Sequence, residues 1–301
     1  MEKLIYMDNA ATTSTAPEVV SAMLPFFTEY YGNPSSVYNF AQKSKMAIED
    51  AREIIADSIG AAKSNEIYFT GGGSESDNWA LKSAAFGLRD KGNHIITTKI
   101  EHHAILNTCA YLEKNGFEVT YLDVDSEGFV SLEDVENAIT EKTILISVMF
   151  ANNEIGTIEP VCEIGEIAHK HGILFHTDAV QAMCHVPINV TEMNIDLLSA
   201  SAHKFHGPKG VGFMYMKNSA KLEPFIHGGA QERARRAGTS NVPGIVGMGQ
   251  AVKLALSTLD KDTHTIINMR NYIVDRILGE IPDVTFDGPC IDANAVSAGS
   301  P

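Results

Sequence analysis

The chain has 301 residues, 44% hydrophobic and 20% charged, with 23 basic and 38 acidic side chains and a formal charge of −15. That is an ordinary globular composition, which excludes a disordered, collagenous or coiled-coil chain. The acidic balance repels polyphosphates and anionic lipid surfaces, so neither nucleic acid nor a membrane is an expected partner.

The length suits two domains, since one domain takes roughly 100–200 residues. The first 60 residues carry two helical patterns, 17–30 and 38–59, separated by Gly32-Asn33-Pro34-Ser35-Ser36. From there strand-like and helix-like segments alternate. Ile67–Thr70 is a short β-rich run ending in three glycines, and a helix is expected from Ser74 to about Arg89, with Asp77 completing a capping box. His94–Thr98 is strand-like, 102–115 helical, 117–122 a strand, 132–139 a helix and 143–149 a strongly apolar strand. A helix over 160–171 leads into an apolar run at 173–177. Two further helices follow, one from Pro243 through 259 and one over 263–278, with a last strand candidate at 284–286. Repeated βα units with near-continuously apolar strands predict a mostly parallel sheet covered by helices on both faces. The segments 1–13 and 249–301 are assigned to a second, smaller domain that borrows the N-terminal helices, and 14–248 to the main one. No apolar run reaches the roughly 18 residues of a membrane span, and the N-terminus lacks the pattern of a signal peptide. Four cysteines without framework spacing fit a reducing cytoplasm.

In open α/β sheets ligands sit beyond the carboxyl ends of the strands. The polar residues just past successive apolar runs are therefore the candidate site: Gly71–Ser74, Glu101–His103, Asn152–Glu154, Asp178 with Gln181, and Ser201–Lys204. Consecutive glycines opening a helix expose backbone N–H groups that suit a phosphate, and the same pattern also serves as a plain strand-to-helix turn. Lys204, in an apolar-to-polar segment rich in small residues, has the setting of a lysine that forms a Schiff base with a carbonyl cofactor. Asp178 ends an apolar run as a buried acid that needs a cationic partner, which a protonated pyridine nitrogen supplies. Phosphate cradle, lysine and acid together select pyridoxal phosphate over a nucleotide. Histidine pairs at 102/103, 169/171 and 203/206 lack metal-ligand spacing, so no metal site is assigned.

The ordered motifs DNAATT (8–13), GNPSS (32–36), TGGGSESDN (70–78), EHHAIL (101–106), NNEIGT (152–157), FHTDAVQ (175–181), SAHKFHGPKG (201–210) and HGGAQERARRAGT (227–239) resemble the pyridoxal-phosphate-dependent cysteine desulfurases. These lie in the fold type I, class V aminotransferase superfamily. The resemblance covers roughly residues 1–290. It implies a fold type I α/β architecture with a sheet of the seven-stranded type and an incomplete small α+β domain. It implies that Lys204 carries the cofactor and moves protons, and that His102 stacks on the pyridine ring and acts in acid/base steps. By the same resemblance Asp178 pairs with the ring nitrogen and Gln181 contacts the phenolic oxygen. Gly73, Ser74, Ser201 and His203 hold the phosphate, Thr239 reaches it from the second subunit of a homodimer, and Asn153 binds the substrate carboxylate. The implied reaction takes sulfur from L-cysteine, leaves L-alanine, and passes the sulfur to an iron–sulfur scaffold or a thiolation protein. Aminotransfer or selenocysteine lysis on the same cofactor, and cofactor binding without turnover, are the alternative readings. Family members continue into a C-terminal domain bearing the persulfide-forming cysteine and a carboxylate-binding arginine. Neither matches a position here, so the chain is expected to be shortened at its C-terminus. Cys109, Cys162 and Cys184 are expected to serve as small packing residues.

Overall fold

Seven short strands form one sheet in the computed structural model, which describes residues 5–220 and 222–289. They are β1 (Ile67–Thr70), β2 (His94–Thr98), β3 (Glu118–Leu122), β4 (Thr143–Ser147), β5 (Leu174–Asp178), β6 (Leu197–Ser201) and β7 (Gly212–Met216). Their order is β1-β7-β6-β5-β4-β2-β3. β7 runs antiparallel to β1 and β6, and every other pairing is parallel. The strand period of two divides the apolar residues between the faces. Ile96, Ile146, Phe175, Leu198 and Phe213 enter one core, while Ile95, Leu145, Leu197 and Met214 enter the other.

The helices are α1 (Pro17–Met23), α2 (Pro25–Thr28), α3 (Asn39–Ser58), α4 (Gly73–Gly87), α5 (His103–Glu113), α6 (Leu132–Ala138), α7 (Val161–Lys170), the single turn α8 (Gln231–Ala234) and α9 (Val242–Glu280). Trp79 and Leu81 of α4 and Ile105 and Cys109 of α5 fill the core on one face, and residues of α1, α3, α6, α7 and α9 fill the other.

Four sequence expectations shift. The helical pattern over 17–30 splits into α1 and α2, because Pro25 has no N–H to continue the ladder. The two helices beyond Pro243 are one helix of 39 residues, running unbroken across position 248/249. Residues 284–286 are irregular, with no strand. Ser74 does not cap α4, whose N-cap is Gly72, so Asp77 is left for another use. Helix α9 also contains a window long and apolar enough to cross a bilayer, which no sequence run suggested. Its first turns, however, bury Val242, Ile245, Met248 and Val252 in the protein core, which is the use that explains their composition.

Candidate active site

Because β7 is antiparallel to both β1 and β6, β1 runs parallel to the rest, and all the candidate loops emerge at one edge of the sheet. They enclose a cavity of about 490 Å³. Gly73, Ser74, His102, Asn153, Asp178, Gln181, Ser201, His203 and Lys204 all line it. Thr239 does not; it is exposed. Asp8, Asp77 and Glu154 line the cavity as well; of these the sequence patterns mark Glu154 as a candidate and Asp77 only as part of a helix cap.

Lys204 follows β6 in a single 3-10 turn, Ala202–Lys204, and its amine is held from the N-terminal side. Nζ donates to the carbonyls of Ala10 and of Ala11, the latter at 3.1 Å. Gln181 Nε2 donates to the same Ala10 carbonyl at 2.9 Å. The segment 10–16 is laced to the lysine loop by Thr13 N–H to His203 O (2.9 Å), Ala16 N–H to His206 O (3.0 Å) and a His203 Nδ1–Thr12 Oγ1 contact at 3.0 Å. Burial lowers the amine's pKa below the ordinary lysine value, with Asp178, Asp8 and Glu154 pulling the other way. More of the unprotonated, nucleophilic form is therefore present at neutral pH.

His102 is the N-cap of α5, and its Nδ1 accepts the Ala104 N–H at 3.1 Å. With Nδ1 an acceptor, the neutral ring carries its proton on Nε2. Asn153 is already engaged, donating Nδ2 to Glu154 Oε1 at 2.7 Å.

The glycine turn has the geometry of an anion cradle. Gly72 has φ +149°, and α4 opens with Gly73, Ser74 and Glu75, whose N–H groups have no intrahelical acceptor. A further hollow of about 500 Å³ adjoins them, lined by Thr12, Ser74, Ser201, His203 and Lys209 among others. A Cβ on Gly73 would stand 2.6 Å from Val180 Cγ2. Val180 is stiff at χ1 and donates its N–H to Asp178 Oδ1 at 2.9 Å, so strain at position 73 reaches the acid. We expect Gly73→Ala to lose about 1–3 kcal/mol to overpacking. Gly73→Ala with Val180→Ala should recover most of it, as measured by urea denaturation.

Beneath the cavity lies a group of buried acids. Asp178 is 5% exposed, and burial raises its pKa against the pull of the Val180 N–H, His102 and Lys204. Glu101 accepts from Thr98 Oγ1 (2.8 Å) and Met149 N–H (2.9 Å), fixing the chain just before His102; burial pushes it up to about 8. His176 sits between Ser147 Oγ (2.9 Å) and Ser199 Oγ (3.0 Å), and burial lowers it to about 3, so it is neutral. Because folded Glu101 keeps its proton where the unfolded chain loses it, it should lower stability progressively from about pH 4.5 to about pH 8. We expect Glu101→Gln to match the wild-type Tm at pH 4 and to exceed it increasingly towards pH 8.

The loop after residue 225 is tied to the cavity's outer wall. Glu75 accepts Arg236 Nε at 2.7 Å and Nη2 at 3.0 Å, which offsets its charge beside the glycine turn. Arg233 donates to Ile67 O at 2.8 Å with its guanidinium over the Tyr68 ring, and Arg235 donates to Leu222 O. The three arginines therefore act as loop fasteners. Among the described residues Cys109 and Cys184 are buried and pushed up to about 12 by burial, and Cys162 is half-buried; none lines the cavity. Cys290 and the final DANAVSAGSP segment lie outside the described residues.

The family model described as Aminotransferase class-V matches residues 5–298. A protein named cysteine desulfurase IscS from Clostridium botulinum is 59% identical over 289 residues, 96% of this chain and 72% of that protein. One of the same name from Methanosarcina thermophila is 58% identical over 95% of this chain and 70% of its own length. Among solved structures, one titled NifS-like protein superposes with a TM-score of 0.90 at 42% identity, covering 92% of this chain and 76% of its own. Another, titled SspA in complex with cysteine, gives 0.81 at 47% identity, covering 83% of this chain and 72% of its own.

Proposed function

Since the chain belongs to the class V aminotransferase family, and within it to the cysteine desulfurases, we propose that it holds pyridoxal phosphate in the sheet-edge cavity and converts L-cysteine to L-alanine there. The observation that carries this is the grouping of three unlike functions around one 490 Å³ space: free helix N-terminal N–H groups, an amine of lowered basicity and a buried carboxylate. The fit is chemical as well as spatial. Gly73, Ser74, Ser201 and His203 suit a phosphate, Lys204 a carbonyl, and Asp178 a protonated ring nitrogen.

When bound, the cofactor supplies an electron sink for charge that develops on the substrate's amino-bearing carbon. The chain's own residues then divide the remaining work. Asp178 holds a negative charge at the inner wall, positioned by the Val180 N–H. Lys204 Nζ provides the amine and moves a proton at the substrate Cα. His102 Nε2 holds a proton at the cavity mouth, opposite its capped Nδ1. Asn153 Nδ2 turns from Glu154 to the substrate carboxylate. In the balanced reaction L-cysteine and an acceptor thiol give L-alanine and a persulfide of that thiol. None of the three described cysteines lines the cavity, and the sulfur is passed on to an iron–sulfur scaffold or thiolation protein. Unpaired thiols suit such chemistry in a reducing cytoplasm. The exposure of Thr239 outside its own cavity supports its service to a second copy of the chain, in a homodimer.

The test is to add pyridoxal phosphate to the purified chain, record the visible absorbance of a lysine adduct, and assay alanine and sulfide from L-cysteine with a small-molecule thiol present. Stoichiometric alanine and sulfide are expected. Keto-acid formation would indicate aminotransfer instead, an adduct without product would indicate binding alone, and no adduct would overturn the reading.

A further inference from the structure

Asp77 is 1% exposed, lines the cavity and has no assigned role, and its Oδ1 has no hydrogen-bond partner. Oxygen atoms of Asp77 and Asp178 and a ring nitrogen of His102 all lie within 4.8 Å of one another. The groups that face Asp77 come from four elements. α5 and the turn before it bring His102 and Glu101, β5 brings Asp178 and His176, β6 brings Ser199, and the turn after β6 brings Lys204. None is a cation committed to Asp77. His176 Nε2 is 3.8 Å from Oδ1 but spends its contacts on two serines, and Lys204 donates to the carbonyls of Ala10 and Ala11.

Two carboxylates whose oxygens lie within 4.8 Å and which are 1% and 5% exposed do not both ionise without a counter-charge. We propose that Asp77 is a positioning residue that remains a neutral carboxylic acid, offering its proton to Asp178 so that the pair carries one negative charge. A single charge matches a single protonated ring nitrogen, and a doubly ionised pair would leave one buried charge unmatched. A proton on Asp77 also removes a buried charge whose Oδ1 has no hydrogen-bond partner. Burial and then the charge of Asp178, with a smaller push from Glu101, hold the Asp77 carboxyl well above the usual carboxylate range against the opposing pull of Ser199. The matching to a ring nitrogen rests on the proposed cofactor, whereas the proton on Asp77 belongs to the protein alone.

The deciding measurement is infrared difference spectroscopy of the cofactor-free chain at neutral pH, wild type against Asp77→Asn. Loss of one protonated-carboxyl C=O band is expected, distinct from the band removed by Glu101→Gln. Loss of a carboxylate band instead would overturn the proposal. Should Asp77→Asn not fold, 13C-carboxyl labelling of wild-type aspartates decides the same point: an aspartate still protonated at pH 7 supports the proposal, and its absence refutes it. Pyridoxal phosphate titration adds a second reading. Asp77→Asn, a neutral donor of the same shape, should keep Kd within about threefold, and Asp77→Leu, with no donor, should raise it about tenfold. Equal weakening by both would mean that the charge of Asp77 is used, and the proposal would fail. If the wild type takes up no pyridoxal phosphate, the cofactor reading fails while the infrared result still decides the proton.

Discussion

Lys204→Ala is expected to abolish covalent capture of pyridoxal phosphate and to cut alanine formation by about 10³-fold or more, since the nucleophile and the Cα proton carrier are removed together. Borohydride treatment followed by mass spectrometry checks the first part: wild type should retain a cofactor adduct on the peptide containing Lys204, and the variant should retain none. Lys204→Arg separates charge from nucleophilicity. Its guanidinium can still donate to the carbonyls of Ala10 and Ala11 but stays charged, so it should preserve the N-terminal packing and remain unreactive. The pH dependence has a definite sign. Burial lowers the lysine pKa, so adduct formation should rise with pH and level off below the ordinary lysine value. Asp8→Asn, which removes one of the carboxylates opposing that shift, should move the rise to still lower pH. A covalent adduct on another lysine in the Lys204→Ala variant would sink the assignment.

The second large effect is on stability. Arg52 of α3 is 3% exposed and forks onto Glu232, with Nη1 at 2.8 Å and Nη2 at 3.0 Å from its two carboxylate oxygens. Nη1 also donates to Ile67 O at 2.7 Å, and the guanidinium stacks 4.6 Å from the centre of the Phe69 ring. Removing one partner strands a buried charge, so Arg52→Ala should cost about 3–5 kcal/mol in a urea unfolding experiment. Replacing both partners by apolar residues, Arg52→Met with Glu232→Leu, should recover much of that loss, because the desolvation cost goes with the charges. The pair also holds an unfavourable backbone. Glu232, Arg233 and Ala234 have φ of 42°, 58° and 61°, left-handed values that cost L-residues roughly 1–2 kcal/mol each. Once Glu232 is released, the turn is free to relax, and Thr239 moves with it. Arg52→Ala should therefore also weaken pyridoxal phosphate binding if Thr239 serves the phosphate of a second copy.

What was legible in the sequence follows physical range. The βα alternation and the polar residues after each apolar run are local patterns, and they located the sheet and all the candidate cavity residues but Thr239. Helix breaks are less legible: apolar periodicity runs straight through Pro25, where the helix breaks, and lapses near residues 259–263, where the ladder of α9 continues. The spacing of Asp77 from Ser74 imitates a capping box; only the fold reveals that Gly72 takes the cap and that Asp77 turns inward. The effect of Asp8 and Glu154 on Lys204 has no sequence signal for a different reason, although Glu154 lies in a candidate segment. Both act on Lys204 across long sequence separations, with no spacing rule to mark them. In the basic cluster at 233–236 each arginine is spent on a carboxylate, a ring or a carbonyl, contacts that no local spacing marks.

Strand β1 pairs on one side only, so its other side is a row of backbone donors and acceptors that another chain could extend. That side is occupied by side chains: Ile67 O accepts from Arg52 and Arg233, and Phe69 N–H donates to Glu232 at 3.0 Å. The ion pair that orients the loop thus also insulates the sheet against growth. Cells making the Arg52→Ala chain should accumulate it as β-rich aggregate in greater proportion than its loss of folding free energy alone would produce.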